Sequence, residues 1–226
     1  MSQVWNTLLE VQKLLEDSFT RTGTEIQEPG MERFNQPGWV NRVWTSESYR
    51  RAHVDVVDAR ETRKLWMMHC CIFPHTHNSA PIFGFDVIAG PNKITGCFVD
   101  FSPTIAPNHH MCQWFAKEVE PLKWKRQREL PDWAQRIFSP SMVAAGFVKE
   151  QDELDQILKL AENTVNYYLE TVGATNHTTE NTAAQQNYYA ANQKQNPHTP
   201  RVMTSLGLDE EDVRVFIQDC LFPEIR

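Results

Sequence analysis

The stretch that decides the fold is KLWMMHCCIF (residues 64–73) followed by APIFGFDVIAGPNKITGCFVDF (residues 80–101). Its apolar runs are short, rich in β-branched and aromatic residues, and separated by turn material such as GPNK (residues 90–93), which predicts strands. A further run of this kind, AHVDVVDA (residues 52–59), precedes them. Because the connections between these four runs are too short for a crossover helix, we expect an antiparallel meander.

Helical patterns flank these strands in the sequence. In several segments, apolar residues recur at helical spacing or follow acidic residues that suit a helix N-terminus. Residues 107–140 are broken by prolines and predict short helices and loops. The predicted helical segments are residues 4–19, 152–172, 178–196 and 209–222. Strands followed by helices in one chain predict a single domain over residues 1–226, of the α+β class, with an antiparallel sheet covered by helices.

The composition argues against several classes of function. The net charge of −7 does not suit a broad nucleic-acid surface, and no apolar run is long enough to span a bilayer. The first residues carry acids where a signal peptide needs a basic and then an apolar stretch. The five cysteines are a poor disulfide framework, so we expect a reducing cytoplasm. The 12 Phe, 7 Trp and 5 Tyr suit a thick core or, as the less favoured alternative, a pocket for a flat conjugated ligand.

Polar side chains interrupt the apolar strands on particular faces. Alternation places His53 and Asp55 on one face of their strand, and Asp86 on the same face as Gly84. A buried carboxylate such as Asp86 is costly unless it is paired, and burial raises its pKa towards the range of a proton donor. Asp86 could instead cap a turn or pair with an arginine, and His69 could be a satisfied core histidine. Together they predict an acid/base pair on adjacent strands, with Gly84 leaving room for a ligand.

The cluster of cysteines and histidines in WMMHCCIFPHTH (residues 66–77) raises the possibility of a metal site. Cys70 and Cys71 are neighbours, so a strand points them to opposite faces, where one zinc ion cannot use both. His75 and His77 fall in a proline-bounded loop. The sequence also has no Walker loop, dinucleotide fingerprint or nucleophile elbow. We therefore expect no bound metal or cofactor, and a redox reaction would need electrons from outside.

Six short motifs form a specific set between Glu47 and the C-terminus. They are HCCIFP (69–74), PIFGFD (81–86), DFSP (100–103), LPDWAQRIFS (130–139), NPHTPRVM (196–203) and FIQDCLFPEI (216–225). As a set they resemble the ferredoxin-dependent bilin reductases, which reduce biliverdin to phytobilins. The length of the chain and the residues within these motifs are most similar to the phage-encoded, four-electron members of that family.

The resemblance implies a three-layer α/β/α sandwich, with a central antiparallel β-sheet flanked by helices and the bilin between the sheet and the C-terminal helices. It also implies a radical mechanism in which acidic ferredoxin binds transiently, delivers electrons one at a time, and side chains supply protons. Asp86 matches the family's central proton-donating aspartate, and His69 matches the histidine beneath the bilin. His53 and Asp55 match a His-x-Glu pair of the phycocyanobilin-forming branch, but Asp55 replaces the glutamate associated with D-ring vinyl reduction.

Other positions are implied to contact the substrate. The candidates are His53, Thr95, Arg128, Trp133, Asn196, His198 and Arg201. Arg128 and Trp133 match residues that hold the propionates, which arginine can bind in a bidentate way. The basic run KWKRQR (residues 123–128) could dock ferredoxin or be a solvated loop. Pro197 stands where many members have a second aspartate, so water, His198 or a nearby group would supply the A-ring proton.

These features predict the four-electron reduction of biliverdin IXα to phycoerythrobilin through 15,16-dihydrobiliverdin, because the D-ring glutamate is absent. Phycocyanobilin is the alternative product. A catalytically inert bilin- or haem-binding protein and a metal-binding domain that uses residues 66–77 are alternatives from other classes. We expect a cytoplasmic monomer, in the host cytoplasm if the protein is phage-encoded, with no nucleic-acid or membrane partner.

Overall fold

The computed structural model describes residues 2–105, 108–174 and 182–226, and a seven-stranded antiparallel sheet forms its centre. The strands are β1 (Thr24–Ile26), β2 (Trp39–Thr45), β3 (Tyr49–Ala59), β4 (Leu65–Pro74), β5 (Ile82–Gly90), β6 (Lys93–Ser102) and β7 (Val143–Ala145). Each strand pairs with its neighbours in sequence, in the order β1 to β7. The predicted meander is therefore confirmed as the four central strands, β3 to β6.

Helices cover both faces of this sheet. They are α1 (Gln3–Thr22), α2 (His110–Val119), α3 (Asp132–Gln135), α4 (Gln151–Val172), α5 (Ala183–Gln193), α6 (His198–Ser205) and α7 (Glu210–Val215). Helices α1, α2 and α4 share a hydrophobic core with one face, whereas α3 and the C-terminal helices pack on the other. The expected α+β sandwich with a central antiparallel sheet is confirmed. No helix within the described ranges is long and apolar enough to span a membrane.

The alternation of side chains explains this layering. Phe83, Phe85 and Val87 of β5 point towards α1 and α4 and are completely buried, and each such side chain stabilises the fold by about 1.5–3 kcal/mol. The intervening residues of β5 face the C-terminal helices. Cys70 and Cys71 fall in two different cores, so the prediction that they point to opposite faces is confirmed.

Several elements escaped the sequence patterns. Strands β1 and β7 have three residues each, too few to show a period, and β2 begins inside a segment that Pro37 and Gly38 mark as a loop. Helix α6 contains Pro200, which is tolerated because the first helical turn has no internal partner for its N–H groups. Part of the helix predicted over 178–196, and the start of the 107–140 segment, lie outside the described residues.

The last helix changes its hydrogen-bonding pattern half-way. It begins at the Asp209 cap, whose carboxylate accepts from the Asp212 N–H at 2.8 Å, and continues after α7 as a π-helix over Phe216–Leu221. At its end the Phe222 N–H donates to the carbonyl of Ile217 at 3.2 Å, five residues back. Such π segments are frequent at functional sites.

Candidate active site

A cavity of about 320 Å³ lies between the sheet and the C-terminal helices. Strands β3 to β6 form its floor, the segment before α3 and the helices α5 and α6 form its walls, and Phe222 closes one end. The lining is mostly apolar and rich in methionine and aromatic side chains, with a few polar groups between them. This is the usual character of a pocket for an organic ligand.

Three ionisable residues lie side by side on the cavity floor. Asp55, His69 and Asp86 are register partners on β3, β4 and β5, and all three line the cavity. Directly opposite side chains in an antiparallel sheet are nearest neighbours. His69 donates from Nδ1 to the Asp86 carboxylate at 2.6 Å, so the two residues that alternation placed on adjacent strands are in contact.

His69 is poised between these two carboxylates. Its side chain is 12% exposed and that of Asp86 is 37% exposed, so Asp86 is the more accessible of the pair. Burial by itself would lower the pKa of His69, but the charge and hydrogen bond of Asp86, together with the charge of Asp55, shift that pKa upward. Its Nε2 atom has no hydrogen-bond partner within the described residues. A buried ring nitrogen of this kind is available to a ligand.

Asp55 is the most deeply buried member of the row. It accepts a hydrogen bond from the Trp39 indole N–H at 2.6 Å and is only 1% exposed. Burial raises the pKa of Asp55 to about 6, and the Trp39 hydrogen bond offsets only part of that rise. Asp55 can therefore hold a proton at a higher pH than an exposed carboxyl does.

A model of the family described as ferredoxin-dependent bilin reductase matches residues 7–223. The chain belongs to the ferredoxin-dependent bilin reductases. These are oxidoreductases that act on CH–CH groups with ferredoxin as the electron donor. The match begins well before Glu47, so the family likeness covers more of the chain than the motifs suggest.

Relatives agree with this assignment. Phycocyanobilin:ferredoxin oxidoreductase of Gloeobacter violaceus is 26% identical over 189 residues, which cover 81% of this chain and 73% of the relative. The solved structure of a protein called PcyX is 36% identical and has a TM-score of 0.70. The similarity covers 97% of this chain and 99% of PcyX. The tomato phytochromobilin synthase structure, in complex with biliverdin, is only 14% identical and shows the fold, with a TM-score of 0.73 over 94% of this chain and 81% of its own.

Four of the substrate-contact candidates in this bilin reductase line the cavity: Arg128, Trp133, Asn196 and His198. The indole nitrogen of Trp133 has no hydrogen-bond partner within the described residues, so it can donate to a ligand. The side-chain oxygen of Asn196 accepts from the backbone N–H of His198 at 3.0 Å. Asn196 thereby fixes the start of α6, which carries His198 at the cavity wall.

The other three candidates lie away from the cavity lining. His53 is completely buried behind it and donates from Nε2 to the Asn41 side-chain oxygen at 3.1 Å. Burial, with Arg51 and His69 nearby, holds the pKa of His53 well below its ordinary value, so this ring is neutral. The Thr95 hydroxyl donates to a backbone carbonyl of β5, and Arg201 is exposed on α6. Their roles in substrate binding remain predictions.

A tyrosine from the C-terminal helices lies next to Gly84. A side chain at Gly84 would place its Cβ 3.6 Å from the hydroxyl of Tyr189, and Gly84 does not line the cavity. Tyr189 comes from α5 and accepts a hydrogen bond from Gln193 at 2.7 Å. Gly84 is partly exposed beside Tyr189, so the expectation that it leaves room for a ligand stays a prediction.

The remaining members of the cysteine and histidine cluster are separate from the site. Burial raises the pKa of the Cys71 thiol to about 12, so it stays protonated. His75 donates to the carbonyl of Ser46 at 3.0 Å and stacks on His77, outside the cavity. Among the described residues, no three His, Cys, Asp or Glu side chains are grouped so as to hold a metal ion.

Two residues of the site gave no sequence signal of their own. Phe222 packs edge-on against the His69 ring, with 5.2 Å between ring centroids, and limits its rotation. Gln193 lies at the cavity wall and joins it to Tyr189. Both belong to C-terminal segments whose position against the sheet is set by tertiary packing. Phe222 falls within the FIQDCLFPEI motif, which was the signal that could have pointed to it.

Proposed function

We propose that this bilin reductase converts biliverdin IXα to phycoerythrobilin through 15,16-dihydrobiliverdin, with electrons from ferredoxin. The observation that supports this proposal most is the row of Asp55, His69 and Asp86 on the floor of an apolar cavity. Each of the two stages adds two electrons and two protons to the bilin. The reaction thus needs four protons, and a chain of titratable groups beneath the substrate is suited to deliver them.

Asp86 acts as the proton donor in this scheme and His69 restores its proton. Asp86 is the accessible carboxyl, and the 2.6 Å hydrogen bond to His69 provides the transfer path. The unpartnered Nε2 of His69 binds the polar edge of the bilin. One-electron delivery by ferredoxin makes bilin radicals the intermediates, because protons and electrons arrive separately.

The choice of phycoerythrobilin as the product is based on the third carboxyl of the row, that of Asp55. Asp55 is one methylene shorter than the glutamate of the phycocyanobilin-forming branch, and the Trp39 hydrogen bond holds it back in the sheet. It therefore reaches the D-ring vinyl group less well, so reduction proceeds at the C15 bridge and then at the A-ring. His198, on the cavity wall, or water supplies the A-ring proton that Pro197 cannot. Arg128 and Trp133 hold the propionates.

Anaerobic turnover of biliverdin with reduced ferredoxin, followed by absorbance and chromatography, tests this function. Phycoerythrobilin and transient 15,16-dihydrobiliverdin are expected. A product with a reduced D-ring vinyl group would instead support phycocyanobilin. Unchanged pigment in a tight complex would indicate a non-catalytic bilin-binding protein. If no pigment bound, the proposed bilin site would be refuted.

The variant Asp86→Asn tests the proton donor. It should bind biliverdin as the wild type does and accumulate a bilin radical or a partly reduced product, with turnover lower by roughly 10²–10⁴-fold. Asp155→Asn, the same change on the exposed face of α4, is the matched control and should turn over normally. Wild-type turnover by Asp86→Asn would exclude Asp86 from the mechanism.

A further inference from the structure

An exposed phenylalanine with a strained backbone stands out at one edge of the sheet. Phe147 follows β7, is 43% exposed and has a φ of +61°, in the left-handed region that bulky residues avoid. It belongs to none of the hydrophobic clusters within the described residues. Strain at an aromatic residue that the core does not use points to a function outside folding.

Two cations hold this ring in place. The Lys93 ammonium lies 4.2 Å, and the Arg126 guanidinium 4.1 Å, from the centre of the Phe147 ring. Residues 126–128 run alongside β7, because the Gly146 N–H donates to the Arg126 carbonyl at 2.9 Å and the Arg128 N–H to the Ala144 carbonyl at 2.8 Å. Residues 126–128 of the basic run are therefore held along the sheet edge by backbone hydrogen bonds.

No acidic side chain of the described residues forms an ion pair with these cations. None of the ion pairs in the described ranges includes Lys93, Arg126 or Arg128, whereas arginines elsewhere, such as Arg42 and Arg51, are paired with glutamates. The chain as a whole carries a net charge of −7. This patch is thus a local positive field on a negative protein.

The patch is continuous with the mouth of the cavity. Arg128 lines the cavity, and a Cβ at Gly146, next to Phe147, would lie 3.0 Å from the Arg128 side chain. A protein bound at Phe147 would therefore lie next to the cavity wall and bring its own redox centre towards a bound bilin.

We propose that reduced ferredoxin docks on this patch, formed by Lys93, Arg126, Arg128 and Phe147, with the Phe147 ring as its apolar anchor. An acidic donor protein is attracted here and repelled by the rest of the surface, so the charge distribution orients the encounter. Phenylalanine and arginine are both enriched at protein interfaces, and arginine is frequent among the residues that contribute most of the binding energy. This inference rests on the proposed function, because it requires an external electron donor.

The variant Phe147→Asn tests the anchor. Asparagine tolerates the left-handed backbone, so the fold should keep its thermal stability while the ring is lost. We expect the KM for ferredoxin to rise on the order of tenfold, with the affinity for biliverdin unchanged. The double variant Lys93→Glu with Arg126→Glu should raise this KM further and remove its dependence on salt. Lys159→Glu, on exposed α4 at the opposite face, is the charge control and should change the KM by less than about twofold.

A small-molecule one-electron donor, such as a photoreduced deazaflavin, separates docking from chemistry. With this donor, both patch variants and the Lys159→Glu control should reduce biliverdin at the wild-type rate. The docking surface would be refuted if Phe147→Asn had the same kinetics with ferredoxin as the wild-type enzyme. It would also be refuted if this variant lost the same fraction of its activity with both donors. If wild type reduces no bilin with either donor, the proposed function fails, and calorimetric titration of ferredoxin onto wild type and Phe147→Asn still decides whether the patch binds it.

Discussion

The substitution Asp55→Asn should stabilise the fold, and the gain should grow as the pH rises. Burial raises the pKa of Asp55 from 3.8 to about 6, and the Trp39 hydrogen bond opposes this only in part. Between these two values the folded state keeps a proton that the unfolded chain has lost, so the wild type loses stability as the pH rises. Asparagine has nearly the same shape, still accepts from Trp39 through its carbonyl oxygen, and carries no charge to desolvate.

The expected gain follows from the pKa difference. A rise of about 2 in pKa corresponds to about 3 kcal/mol, which the wild type has lost once the pH exceeds the folded-state value. Between about pH 4.5 and about pH 7.5, the free energy of unfolding of Asp55→Asn should therefore increase by about 2 kcal/mol relative to wild type. Urea unfolding followed by tryptophan fluorescence at both pH values measures this difference.

Asp58→Asn provides the matched control on the same strand. The hydrogen bond from Arg60 lowers the pKa of Asp58, so this carboxyl is ionised in both the folded and unfolded states across most of that pH range. The stability difference between Asp58→Asn and wild type should be nearly flat. A difference for Asp55→Asn that is equally flat would refute the reasoning, because burial would then not be raising the pKa of Asp55, and its role as a proton store would be lost.

Three further outcomes are expected. Asp100→Ala should destabilise the fold by about 1.5–3 kcal/mol in urea unfolding, because it removes the carboxylate that accepts hydrogen bonds from Ser102 and Ser139 and leaves those buried donors without a partner. Trp39→Phe removes the hydrogen bond to Asp55, so the pKa of Asp55 should rise further and the loss of stability with rising pH should extend to higher pH. Gly84→Ala places a methyl group in ordinary contact with the Tyr189 hydroxyl, and biliverdin affinity measured by titration should change by less than about twofold.

The sequence was most informative where one local rule decided the structure. The alternation of Phe83, Phe85 and Val87 with polar or small residues predicts β5 and its two faces, and the short linkers predict the antiparallel order of β3 to β6. The same rule separates Cys70 from Cys71. Strands β1, β2 and β7 could not be predicted, because they are short or begin in turn-like sequence and exist only through pairing with the sheet.

The candidate site divides in the same way. Strand alternation and the family motifs predict His69 and Asp86, and the register of β4 and β5 brings them into contact. No local pattern predicts that Tyr189 lies next to Gly84 or that Phe222 packs against His69, because these contacts join segments more than 100 residues apart. The roles assigned to Thr95 and Arg201 depend on the family resemblance alone.

By itself the sequence determined the central meander, the layered α+β class and the family, because side-chain period and short motifs are local properties of the chain. Only the tertiary structure decided that Asp55 joins His69 and Asp86 in one row, with the Trp39 hydrogen bond holding it in the sheet. Only the tertiary structure places Lys93 and Arg126 against the Phe147 ring. Strand register, burial and charge balance depend on which distant segments meet, and those are the quantities that set proton affinity and partner recognition.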